Sequence, residues 1–194
     1  MANQNFYWYK TDIEGCYRIK SFNSTDSRGG FTKPFKQSDF VPSFGARWRS
    51  DQFPVPFSVR EVYYSTNRRG VIRGLHIQKG TAKLVTCAKG IIQDVVVDLR
   101  PESKTYGQHI VYYLYDGEAI FVPAGCAHGF RSRTSSIVLY ICDEEHTPEY
   151  DEGIRYDDPE LGIKWTWPDD KIIVSVRDKK LPTFAEWRKK HGHD

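Results

Sequence analysis

The sequence predicts an all-β protein, an antiparallel sandwich or barrel of the jelly-roll type. Three observations carry that prediction. Val, Ile, Tyr and Phe gather in short runs, the composition that suits a pleated, half-buried surface. Turn signals separate the runs, and helical periodicity is missing between them. The strands recur at short intervals, as in sandwiches and barrels.

The elements follow in order. The arm from 1 to 20 is expected as an added strand that pairs with a neighbour, and KQSDFVPSF as one helical turn. VIRGLHIQKGTAKLV (71–85) reads as sheet, although it carries Arg73, His76 and Lys83. IIQDVVVDLR (91–100), HIVYYLYD (109–116), EAIFVPAG (118–125) and SSIVLYICDE (135–144) each read as a strand. AKG (88–90), RPESKTYG (100–107), DG (116–117) and AGCAHG (124–129) supply the turns. PTFAEWRKKHGHD reads as a short C-terminal helix, and DDP (157–159) as a turn and cap. The expectation is one domain over 1–194, with an N-terminal arm to about 20 and a C-terminal tail from about 170.

Composition bounds the function. A net charge of +3 with no basic stripe argues against a nucleic-acid binder. No apolar run approaches the length of a membrane span. MANQNFYWYKTD lacks the basic and apolar regions of a secretory leader. Cys16, Cys87, Cys126 and Cys142 are scattered without a C-x-x-C pair, and read as reduced, buried small hydrophobes. The expected location is the cytoplasm.

Alternation along a strand does not place Arg73 and His76 on one face, because they are three residues apart. Gly74 between them permits a bulge that re-aims a side chain. His76 and Gln78 share a face, as do Lys83 and Val85. Each polar residue also has a plainer reading taken alone. His76 could be a satisfied core histidine, Lys83 a snorkelling edge lysine, and Tyr140 ordinary core.

The ordered series D-x-R-G-x-F (26–31), G-V-I-R-G-L-H-I-Q (70–78), A-K-L-V (82–85), D-V-V-V-D-L-R (94–100), V-P-A-G-C-A-H-G-F (122–130), L-Y (139–140) and D-D-P-E-L-G-I-K-W (157–165) resembles the dTDP-4-dehydrorhamnose 3,5-epimerase family. The resemblance runs from about residue 15 to residue 184. It implies a cupin-like jelly-roll barrel with short peripheral helices, usually a homodimer, using neither metal nor other cofactor. The implied partner is a nucleotide-diphosphate 4-keto-6-deoxysugar, whose C3 and C5 hydrogens are acidified by the C4 ketone. Inversion needs a base on one face, an acid on the other and a donor for the enolate oxygen.

By resemblance the base is His76, coupled to Asp178, and the acid is Tyr140. Lys83 stands near the C4 oxygen, with Arg73 assisting. Arg28 resembles a residue that meets the diphosphate, and a guanidinium suits phosphate oxygens. Phe31, Lys33, Gln78 and a positioning His128 complete the implied substrate-binding set. The implied reaction is inversion at C3 and also at C5. The alternatives are a C3-only epimerase, a 3,4-ketoisomerase on a CDP- or GDP-linked sugar, and a non-catalytic sugar-nucleotide-binding cupin. Tyr63, Tyr64, Tyr112, Tyr113, Trp165 and Trp167 could give such a binder its stacking surfaces.

A metal-dependent cupin oxygenase would use the P-x-G-x-x-H half present in PAGCAH. The other half reads H-I-Q rather than H-x-H, and no Asp or Glu lies between 77 and 93 to complete a facial triad. The chain departs from the family at Lys33, where an acid is expected, and at Glu61, Tyr63 and Ser65, where members show Q-x-N-x-S. Ile141, Glu145 and His146 stand where a lysine and an aromatic pair are usual. These departures cluster around the nucleotide and the substrate flank of the expected site.

Overall fold

Strand formation follows the alternation of apolar residues. The computed structural model describes residues 7–37, 57–166 and 171–192. In chain order the strands are β1 (Tyr7–Lys10), β2 (Tyr17–Lys20), β3 (Phe22–Asp26), β4 (Gly29–Lys33), β5 (Glu61–Asn67), β6 (Val71–Gln78) and β7 (Lys83–Lys89). They continue as β8 (Ile92–Asp98), β9 (His109–Leu114), β10 (Glu118–Val122), β11 (Cys126–Ser132), β12 (Ser136–Cys142), β13 (Asp151–Gly153) and β14 (Ile173–Val174). One sheet runs β1-β2-β10-β7-β12-β5, and the other β13-β6-β11-β8-β9, with β14 added in parallel to β6. The remaining two strands, β3 and β4, form a separate hairpin. The fold is the cupin-like jelly roll the sequence leads one to expect.

Inward residues of both sheets meet in one core. Val85, Ile92, Val96, Ile120, Phe130 and Val138 belong to it, all at most 1% exposed. The alternate residues of β8 and β11, Val95, Val97 and Ala127, face outward into a second cluster. Helix α2 (Phe184–His191) covers that cluster with Phe184 and Trp187. Thr183 and Glu186 form a capping box at its start, and Gly192 in the left-handed region ends it. Asp158 accepts from the backbone N–H groups of Leu161 and Phe184, so DDP does act as turn and cap.

β1 pairs with β2, and β2 with β10 of the same chain, so the N-terminal arm is built into the chain's own sheet. A one-turn helix, α1 (Val176–Lys179), follows β14 and is capped by Ser175. The turn expected in KQSDFVPSF falls largely outside the described residues. Among the described residues no helix is long and apolar enough to cross a membrane.

Candidate active site

The site begins with an irregularity in β6. His76 pairs with His128 and Arg73 with Phe130, so three steps on β6 oppose two on β11. The extra residue is accommodated at Gly74, whose φ is +123°. A Cβ there would lie 2.6 Å from the Gly129 Cα and 2.9 Å from the His128 carbonyl oxygen, so no larger residue fits. This bulge turns Arg73 and His76 toward one cavity despite their odd spacing.

That cavity, of about 590 Å³, opens between the two sheets. The sheet containing β6 and β11 supplies Arg73, His76, Gln78 and His128, and the facing sheet supplies Lys83 and Tyr140. His76 Nε2 lies 2.9 Å from Asp178 Oδ1, whose second oxygen accepts from the Gly74 N–H at 3.1 Å. Burial pushes the Asp178 carboxyl up, but the bond and charge of His76, with Gly74 and Ser175, hold it below the usual carboxylate range. A carboxylate so held fixes the tautomer of the imidazole and can stabilise its charged form.

His128 makes a second pair. Its Nε2 lies 2.7 Å from Asp94 Oδ2, with both side chains buried. Asp94 is a site residue that the sequence reading missed. It sits at an inward position of β8, between Ile92 and Val96, within a run that reads as apolar.

Across the cavity, Tyr140 is 9% exposed and stacks on Tyr63 with ring centroids 4.7 Å apart. Burial raises the phenol above its ordinary value, against a lowering contact from the Ser65 hydroxyl. It therefore stays protonated at neutral pH and can act as an acid. Lys83, 7% exposed, has its ammonium pushed down by burial, with Cys142 and Asp151 opposing. Among the described residues it has no hydrogen-bond or ion-pair partner. An oxyanion in the cavity would supply one.

Two carboxylates, Glu61 and Asp151, also line the cavity. Of the two residues standing in place of aromatics, His146 lines the cavity and Glu145 does not. The His146 N–H donates to Glu61 Oε2 at 3.0 Å, and its Nε2 lies 3.2 Å from Asp151 Oδ2. Gln78 donates its amide to the Glu145 carbonyl at 2.8 Å. Arg28, Phe31 and Lys33 are not brought to this cavity within the chain. They belong to the β3–β4 hairpin, where Arg28 is exposed and pairs with Asp26 at 2.6 Å. Among the described residues no group of three or more His, Cys, Asp or Glu could hold a metal ion.

The family model for dTDP-4-dehydrorhamnose 3,5-epimerase matches residues 10–186. The chain belongs to that family. It is an isomerase of the epimerase type. A dTDP-4-dehydrorhamnose 3,5-epimerase of Methanothermobacter thermautotrophicus is 39% identical, over 93% of this chain and 96% of the relative. A dTDP-4-dehydro-6-deoxyglucose 3-epimerase of Streptomyces bikiniensis is 33% identical, covering 89% and 86%. Among solved structures, the Mycobacterium tuberculosis rmlC epimerase superposes with a TM-score of 0.83 at 31% identity, covering 95% and 92%. A Streptomyces bikiniensis 3'-monoepimerase in complex with dTDP-quinovose gives 0.80 at 30% identity, covering 94% and 90%.

Proposed function

We propose that the chain inverts C3, and C5 as well, of a nucleotide-linked 4-keto-6-deoxyhexose. His76 removes the proton, Tyr140 returns one from the opposite side, and Lys83 with Arg73 holds the C4 oxygen. The observation that carries the reading is His76 on one sheet, paired with Asp178 of α1, facing Tyr140 and Lys83 on the other sheet. A proton beside the ketone leaves to His76, and the electrons pass to the C4 oxygen as an enolate. The negative charge develops where a buried, unpartnered lysine stands, and burial magnifies their attraction. Reprotonation by Tyr140 from the other side inverts the centre. The names of relatives support dTDP as the nucleotide, and both 3,5- and 3-epimerases occur among them.

The test is an NMR incubation in D2O with dTDP-4-keto-6-deoxyglucose and its CDP and GDP counterparts. Deuterium at C3 and C5 of the dTDP sugar is expected. Deuterium at C3 alone would reduce the reading to a single epimerase, and no exchange with any of them would overturn it.

We further propose a homodimer in which Arg28, Phe31 and Lys33 of one copy reach the cavity of the other. Arg28 and Phe31 are exposed on a hairpin outside their own cavity, and Val62 and Tyr64 on β5 are 55% and 68% exposed. Mixing inactive His76→Ala and Arg28→Ala proteins under subunit exchange should restore roughly a quarter of wild-type activity, from mixed dimers with one intact site in two. No recovery would count against the shared site. A cytoplasmic location is proposed as well, because the four cysteines are buried and free. Activity recovered outside the cytosolic fraction would refute it.

A further inference from the structure

The ring and the hydroxyl of Tyr140 are held by separate means, and both come from β5. Tyr63 and Tyr140 are directly opposed on β5 and β12, and their rings stack at 16° with centroids 4.7 Å apart. The stack fixes the plane of the phenol. What it leaves free is the rotation of the hydroxyl hydrogen. That rotation decides whether the proton points at a ligand or into the wall.

Ser65 and Asn67 follow Tyr63 at alternate positions of β5, so the three share one face of the strand. Ser65 lines the cavity with Tyr140, and its hydroxyl is hydrogen-bonded to the phenol. Arg73 sets the direction of the bonds along this line. A guanidinium can only donate, and the Arg73 Nε does so to Asn67 Oδ1 at 2.7 Å. The other end of the Asn67 amide is therefore its donor end. It donates to Ser65 Oγ at 3.1 Å and to the Ser65 carbonyl at 3.2 Å. With Oγ accepting from Asn67, the single hydrogen of Ser65 is left to donate to Tyr140. A donor there agrees with the way Ser65 lowers a phenol that burial raises. The phenol oxygen accepts along that bond, so its own hydrogen turns to the cavity.

We infer, on the reading that makes Tyr140 the acid, that Ser65 and Asn67 are positioning residues: the line Arg73–Asn67–Ser65 aims the Tyr140 hydroxyl hydrogen at the substrate. When the phenol returns a proton, its O–H bond breaks and the enolate electrons form the new C–H bond. The C4 ketone re-forms, and the O–H electrons stay on the phenol oxygen. Ser65 then donates to a phenolate, and a hydrogen bond to a charged acceptor is the stronger kind. The bond to Ser65 thus tightens as the proton leaves, which favours the transition state over the resting phenol.

The test incubates the full chain with dTDP-4-keto-6-deoxyglucose in D2O and reads two rates by NMR, first deuterium uptake and net inversion. Thermal melts control for folding. Ser65→Ala should lower inversion relative to uptake about tenfold, the loss of one hydrogen bond to a charged acceptor. Ser65→Thr keeps a hydroxyl and should restore the wild-type ratio. Asn67→Asp still accepts from Arg73 but has no hydrogen for Ser65. Ser65 then donates to the carboxylate and accepts from Tyr140, so the phenol hydrogen turns into the wall and the ratio falls as in Ser65→Ala. A wild-type ratio in folded Ser65→Ala or Asn67→Asp overturns the inference. So does an equal loss of both rates, or a loss in Ser65→Thr as large as in Ser65→Ala. Wild type without uptake or inversion is a separate failure, that of the epimerase reading, and the positioning role falls with it.

Discussion

Replacing Asp178 by Asn tests the pairing that makes His76 a base. The change keeps shape and size but removes the charge 2.9 Å from the imidazole. When His76 takes the substrate proton it becomes an imidazolium, and the carboxylate then makes a charge-assisted hydrogen bond to it. Such bonds contribute roughly 1.5–3 kcal/mol. With about 2 kcal/mol lost from the transition state, Asp178→Asn should slow proton removal roughly thirtyfold. The assay is the initial rate of deuterium incorporation at C3 in D2O at neutral pH, with a thermal melt as the control for folding. A folded variant that exchanges within twofold of wild type would refute the coupling. A parallel slowdown in dTDP affinity would instead mean that Asp178 shapes the binding site.

Other outcomes follow from the same geometry. Tyr140→Phe should damage net inversion more than the first exchange, read by comparing product formation with deuterium uptake; equal loss of both would give the hydroxyl another role. Dialysis against a chelator should leave activity unchanged, and a large loss restored by a divalent metal would revive the metal-dependent cupin reading. Asp98 makes a stability prediction. Burial raises its carboxyl, but hydrogen bonds from Arg100, Ser103 and Thr105 outweigh this and hold it at about 2. A depressed pKa stabilises the fold above the unfolded value near 4, and that stability is lost as pH falls toward 2. It amounts to about 2 kcal/mol, so Asp98→Asn should lose that much at pH 7 and show a flatter acid limb in urea titrations. Equal acid limbs in the two proteins would contradict this.

Much of the sheet was legible because its residues alternate. The runs at 91–100, 109–116, 118–125 and 135–144 contain β8, β9, β10 and β12 with ends trimmed by a few residues. The C-terminal helix carried its own cap and its apolar pair, Phe184 and Trp187. The bulge was legible from Gly74, since only glycine permits that close approach to Gly129. Asp94 was hidden because an inward aspartate between Ile92 and Val96 has no local signature. Its meaning comes from His128, brought across by β11. Helix α1 is one turn long and has no periodicity to read, yet it delivers Asp178 to His76. The hairpin of Arg28, Phe31 and Lys33 was grouped with the cavity by resemblance alone, and the chain's own topology puts it elsewhere.

The most direct measurement is deuterium exchange by His76→Ala with the dTDP-linked 4-keto-6-deoxy sugar, alongside dTDP binding by calorimetry. The folded variant should place no deuterium at C3 or C5 and bind dTDP with near-normal affinity. Exchange retained at either centre by the folded variant would contradict His76 as the sole base.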